Sequence, residues 1–98
     1  MSYKKGRRFE EYVMDKLEER GFYCVRSAGS KGVFDLLAVK NGVPWGIQCK
    51  KAGKITKREL EELRETGSRY GIIPCLAKKE GRRVVVVCLY NDRDILAS

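Results

Sequence analysis

Three polar positions stand where the surrounding pattern calls for apolar residues, and each is of a type that can bind a metal ion or a phosphate. Glu10 is the first. Phe9, Tyr12, Val13 and Leu17 recur at helical spacing. Turning about 100° per residue puts Glu10 between Val13, Met14 and Leu17, while Glu11, Asp15, Glu18 and Glu19 fall on the opposite face. A carboxylate inside an apolar arc is costly unless it meets a cation or a metal. The alternative is a rim carboxylate that swings to solvent or pairs with a nearby Lys or Arg. Asp35 is the second, set in the run Val33-Phe34-Asp35-Leu36-Leu37-Ala38-Val39 although aspartate is a poor strand former. It is either a strand-start residue bonding to loop amides or a functional carboxylate. The third is Gln48-Cys49-Lys50, where strand alternation sends Gln48 and Lys50 one way and Cys49 the other. Gln48 and Lys50 form either a solvated face or a face turned to Asp35. In the second case a carboxylate, an amide and an ammonium would suit a divalent cation beside a phosphate. Magnesium takes oxygen ligands and keeps waters, so one or two carboxylates with neutral oxygens suffice.

Anion-binding residues accompany these positions. In Arg26-Ser27-Ala28-Gly29-Ser30-Lys31-Gly32 the glycines free backbone amides to approach an anion, and Arg26, Ser30 and Lys31 can donate to phosphate oxygens. The segment is too short and wrongly ordered for a P-loop, and as a sequence it also fits an ordinary loop. Basic residues fall in three groups: Lys4, Lys5, Arg7 and Arg8; Lys50, Lys51, Lys54, Lys57 and Arg58; and Lys78, Lys79, Arg82 and Arg83. Solubility alone would explain any one group. Three groups in a chain with 21 Lys+Arg against 13 Asp+Glu, a formal charge of +8, fit a surface that tracks phosphates. Aromatic residues near them are few, which argues against a base-stacking platform.

Composition removes several chemistries. The sequence has no histidine, so Ser-His-Asp and Cys-His catalysis and histidine-ligated metals are excluded. Cys24, Cys49, Cys75 and Cys88 form no CxxC pair; their spacing argues against zinc and for small buried side chains in a reducing compartment. No apolar run approaches membrane-spanning length, and Met1–Arg8 is basic and polar. A cytoplasmic protein with no membrane association is expected.

These residues must be positioned by a small fold, expected to be one domain over residues 1–98. The first helix is predicted over Lys5–Arg20, stopped by Gly21, with a strand at Phe22–Arg26. Val33–Lys40 and Val43–Lys50 flank Asn41-Gly42, a type I′ hairpin signal. Thr56 and Glu59 form a capping box, Ile55 and Leu60 sit at hydrophobic-staple positions, and Gly71 suits the C-terminal cap of a second helix. Strands at Ile72–Lys78 and Arg83–Leu89 follow, joined by a turn at Glu80-Gly81. Pro74 belongs at an edge, a strand start or a bulge. The unbroken apolar run Val84–Leu89 should be covered on both faces. The residues from Asn91 onward have no evident place. The order αβββαββ implies an α/β domain: a mixed five-stranded sheet flanked by helices.

Taken together, Lys5-Gly6-Arg7-Arg8-Phe9-Glu10, Gly21-Phe22-Tyr23-Cys24-Val25-Arg26-Ser27-Ala28-Gly29-Ser30, Phe34-Asp35-Leu36-Leu37-Ala38, Ile47-Gln48-Cys49-Lys50 and Gly71-Ile72-Ile73-Pro74-Cys75-Leu76-Ala77 resemble archaeal-type Holliday junction resolvases of the PD-(D/E)xK nuclease superfamily. The similarity spans residues 4–78, with the motifs in family order. It implies a restriction-endonuclease-like fold and a metal-dependent endonuclease that resolves four-way DNA junctions as a homodimer, with Mg²⁺, or Mn²⁺, as cofactor. Alternatives are a related small nuclease acting on other branched or foreign DNA, and a catalytically weakened DNA-binding module.

By the same resemblance Glu10, Asp35, Gln48 and the Cys49 carbonyl would hold the metal, and Lys50 would orient the attacking water. Ser30 and Arg26 match positions near the scissile phosphate. DNA contacts are expected from Lys5, Arg7, Arg8, Arg26, Lys31, Lys51, Lys54, Lys57 and Arg58. The chain departs from the pattern at Phe34, where the motif has proline, and at Gln48, where it has an acid. Glutamine keeps an oxygen ligand but removes a charge, which should weaken metal affinity and raise the metal concentration required.

Overall fold

The computed structural model describes residues 2–27 and 32–97, with side chains from residue 8 onward. The elements are α1 (Ser2–Glu19), β1 (Tyr23–Arg26), β2 (Leu36–Lys40), β3 (Val43–Cys49), α2 (Lys57–Tyr70), β4 (Ile73–Glu80) and β5 (Arg83–Cys88). The strands lie side by side in chain order in one mixed sheet. All neighbours pair antiparallel except β3 and β4, which are parallel because the chain crosses over through α2 between them. The expected order αβββαββ is therefore the observed one.

Strand alternation divides the sheet into two faces. Cys24, Ala38, Leu36, Ile47, Cys75, Ala77, Val86 and Cys88 follow one another across the register and form a core with Phe9, Val13 and Leu17 of α1. Leu76 and Val85 alternate with these residues and are buried on the other face. There α2 buries Leu63 and sets Gly67 against Pro74. A Cβ at Gly67 would lie 2.5 Å from the Ile72 carbonyl oxygen, so this glycine lets the helix seat directly on the start of β4. Pro74 is the second residue of β4, at the strand start.

The turn and cap signals act as expected. Asn41 and Gly42 both have positive φ, 52° and 77°, and close the β2–β3 hairpin as a type I′ turn requires. Thr56 and Glu59 form the capping box, and Gly71 ends α2 at φ 70°. Several boundaries differ, most by a single residue. Helix α1 begins at Ser2. β2 begins at Leu36, leaving Asp35 just outside the strand. β4 runs on to Glu80 and β5 starts at Arg83, so the turn residues are Gly81 and Arg82. The residues after Cys88, unplaced by periodicity, return along β5. Cys88 N–H donates to Arg93 O and Ile95 N–H to Val86 O, while Asp94 Oδ1 accepts from Val86 N–H and Leu96 N–H. Leu96 enters the core, and the otherwise open edge of β5 is covered.

Candidate active site

The site lies where β1 and β3 end and β2 begins. Asp35 is fixed there by three hydrogen bonds. Its N–H donates to Ile47 O at 2.8 Å, its carbonyl accepts from Ser27 N–H at 2.9 Å, and its Oδ2 accepts from Cys49 N–H at 2.8 Å. The backbone bonds continue the ladders to β3 and β1 past the formal start of β2. The side chain thus reaches across to the end of β3. The second carboxylate oxygen, Oδ1, accepts no hydrogen bond among the described residues. The ring of Phe34 holds this segment from the adjacent position. It lies against Gly46, where a Cβ would come within 2.6 Å of the ring. Phe34 therefore has a seat on β3 that only glycine leaves open.

Glu10 approaches from α1, half-buried, with Oε1 3.5 Å from Arg26 Nε. Arg26 also meets Glu11, again at 3.5 Å. Burial first, and then the negative charge of Asp35, raise the Glu10 carboxyl above its ordinary value; Arg26 opposes them and Glu11 adds to them. Cys49 registers the same two carboxylates. Burial, then Asp35, then Glu10 push its thiol far up, so the sulfur stays protonated and is a poor thiolate ligand. Glu10, Asp35 and Cys49 are therefore one electrostatic neighbourhood. Two like charges at a partly buried position suit a hard divalent cation. Among the described residues no three His, Cys, Asp or Glu side chains cluster to hold a metal.

Lys50 is turned another way. Its backbone is held by Lys50 N–H to Ala77 O at 2.9 Å and Gly53 N–H to Lys50 O at 2.7 Å. Its Nζ stands 2.9 Å from Glu59 Oε2 on the first turn of α2. Hydrogen bonds from Lys50 and Thr56 hold the Glu59 carboxyl down to about 2. The sequence marks Glu59 only as a helix cap. Its second role depends on the end of β3 meeting the start of α2, which no spacing reveals. Gln48, paired in register with Leu76, alternates with Cys49 as expected, and its side chain forms no hydrogen bond with another described residue.

The other expected site residues are dispersed. Ser30 and Lys31 lie outside the described residues, as do the side chains of Lys5 and Arg7. Arg8, Lys51, Lys54 and Lys57 are exposed. Arg58 is exposed as well and pairs with Glu62 along α2 at 3.4 Å. No helix among the described residues is long and apolar enough to cross a membrane.

Comparison with known proteins places this geometry in context. The family model described as archaeal Holliday junction resolvase matches residues 1–94. The chain is 41% identical over 81 residues to a protein of Methanocaldococcus jannaschii named crossover junction endodeoxyribonuclease Hjc. That alignment covers 79% of this chain and 60% of the relative, so the chain spans about three fifths of the length of the curated protein it matches. Among solved structures it resembles Archaeoglobus fulgidus Hjc, a Holliday junction resolvase from an archaeal hyperthermophile. The TM-score is 0.73 and the identity 25%, with 86% of this chain and 72% of that one covered.

Proposed function

Because the chain belongs to the archaeal Holliday junction resolvase family, we propose that it is a divalent-metal-dependent endonuclease that hydrolyses phosphodiesters in four-way DNA junctions. The observation that carries this reading is the Asp35 carboxylate. It is clamped by Cys49 N–H at the end of β3 and faces Glu10 on α1, and its other oxygen accepts no hydrogen bond among the described residues. Glu10, Asp35, the Gln48 side-chain oxygen and the Cys49 carbonyl would hold Mg²⁺, with Mn²⁺ an effective substitute. When bound, such an ion acts as a Lewis acid on a phosphoryl oxygen and lowers the pKa of water.

The protein's own groups do the remainder. Lys50, released from Glu59 when DNA enters, orients the attacking water and stabilises charge developing on the phosphate. Arg26 and Ser30 contact the scissile phosphate. Lys5, Arg7, Arg8, Lys31, Lys51, Lys54, Lys57 and Arg58 neutralise neighbouring phosphates. A homodimer would match the two-fold symmetry of a four-way junction and set one site on each of two opposed strands. A DNA substrate and the free thiols of Cys24, Cys49, Cys75 and Cys88 fit an intracellular, reducing site of action.

The test is cleavage of a synthetic four-way junction in Mg²⁺ or Mn²⁺ by the purified chain. Paired symmetric nicks are expected, with loss of cleavage but retention of binding in Asp35→Ala. Equal cleavage of linear duplex would leave a general nuclease in place of a resolvase. Binding without cleavage in any divalent metal would leave a DNA-binding module, with Gln48 as the reason.

A further inference from the structure

The third basic group of the sequence is absorbed neither by the site nor by the DNA contacts above. It lies against a different part of α1. Tyr12 and Lys16 lie four residues apart on one stripe of that helix, and Arg20 directly follows its end. Together with Arg82 of the β4–β5 turn and Arg83 at the start of β5 they line an open cleft of about 400 Å³. The cleft is built, because its parts are held from behind. Arg20 Nε donates to the carbonyl of the buried Leu96 at 2.9 Å, and Lys16 Nζ lies 5.4 Å from the centre of the Tyr12 ring. Asp94 is the acid of the lining, and its Oδ1 is occupied by two backbone amides. Arg82 and Arg83 have no acidic partner among the described residues. Glu19 Oε1 stands 3.8 Å from both Lys16 Nζ and Arg20 Nη1, so the four cations of the groove face the carboxylates of Glu19 and Asp94, and the positive excess is carried by Arg82 and Arg83.

Position makes the ligand specific. A second cleft, of about 380 Å³, is lined by Arg8, Phe9, Tyr12, Lys51 and Lys79. Tyr12 lines both clefts, and Lys51 directly follows Lys50 of the candidate active site. The two clefts thus form a path of cations along α1, from the reacting end of the sheet to the turn between β4 and β5. A polyanion with regularly spaced charges fits such a path better than a single small anion does. We infer that the cleft of Lys16, Arg20, Arg82 and Arg83 is a second phosphate-binding site, which holds a duplex arm of the DNA being cleaved. The inference rests on the junction-nuclease reading above and extends it to a face of the molecule remote from Asp35 in sequence.

The experiment is titration of a four-way junction, with Ca²⁺ present and cleavage absent, by the full chain and two double variants across a series of salt concentrations. Arg82→Ser with Arg83→Ser removes two cleft cations from exposed positions. Arg69→Ser with Arg93→Ser removes the same charge elsewhere on the surface. The cleft variant should bind at least tenfold more weakly. Its log K against log salt slope should be reduced by nearly 2, at about 0.9 per lost phosphate contact. The control should keep the unmodified slope. An unchanged slope in the cleft variant, or an equal loss in the control, overturns the cleft while wild-type junction binding preserves the nuclease reading. Absence of wild-type junction binding overturns both.

Discussion

Lys50 Nζ stands 2.9 Å from Glu59 Oε2, while Glu59 Oε1 accepts the Thr56 N–H at 3.0 Å. One carboxylate closes the N-terminal cap of α2 and holds the lysine that follows β3. The crossover helix and the candidate catalytic lysine are thereby fixed to each other.

Acid should dissolve this link. The folded protein holds Glu59 at about 2 against an ordinary 4.5. The sign is that of a depressed carboxylate: its contribution to stability is complete above the ordinary value and is lost as pH falls towards about 2. Urea midpoints measured from pH 5 to pH 2 should fall more steeply in the wild type than in Glu59→Gln, which has no charge to lose. Parallel profiles would contradict this assignment.

Asp35 has two separable jobs. Asp35→Asn retains an oxygen for Cys49 N–H and should fold with near wild-type stability. Asp35→Ala leaves that half-buried amide unpaired, at about 1–3 kcal/mol. Both should lose junction cleavage by more than the roughly 10–100-fold typical of an outer metal partner. Thermal melts distinguish the two variants, and nicking assays group them.

On the proposed reading, Gln48 sets the metal requirement. Gln48→Glu restores a third negative oxygen beside Glu10 and Asp35, and ligand charge is a principal determinant of affinity for hard cations. The Mg²⁺ concentration giving half-maximal cleavage should drop about tenfold. A midpoint that does not move would mean that position 48 lies outside the metal's reach.

Gly46 is the floor under Phe34. An added Cβ at 2.6 Å from the ring must displace it. Gly46→Ala should therefore destabilise the chain by about 1–3 kcal/mol, as overpacking does. Because Asp35 follows Phe34, cleavage should fall further than stability predicts. Denaturant midpoints and cleavage rates on the same preparations test both statements.

Local signals were enough for most of the fold, because they act within a few residues. The capping box of Thr56 and Glu59, the Asn41-Gly42 turn and the Gly21 and Gly71 stops each rest on backbone conformations that one or two side chains dictate. Periodicity placed Phe9, Val13 and Leu17 on one face, with Glu10 inside that apolar arc. Motif order was sufficient to single out Asp35, Gln48 and Lys50, and the chain's family bears out that resemblance. The remainder required contacts between distant segments. Asp35 lies outside β2, and its carboxylate bonds to Cys49 N–H, because the ladder to β3 continues past the apolar run. Lys50 pairs with Glu59 because the parallel crossover returns α2 to the end of β3. Residues 91–97, without period or motif, find their place only against the open edge of β5, where unpaired backbone groups need partners. Residue types and spacing therefore determined which groups could bind metal and phosphate. The sheet register and the packing of the two helices decided which of them meet, since side-chain ion pairs and hydrogen bonds form only across the few ångströms that tertiary structure closes.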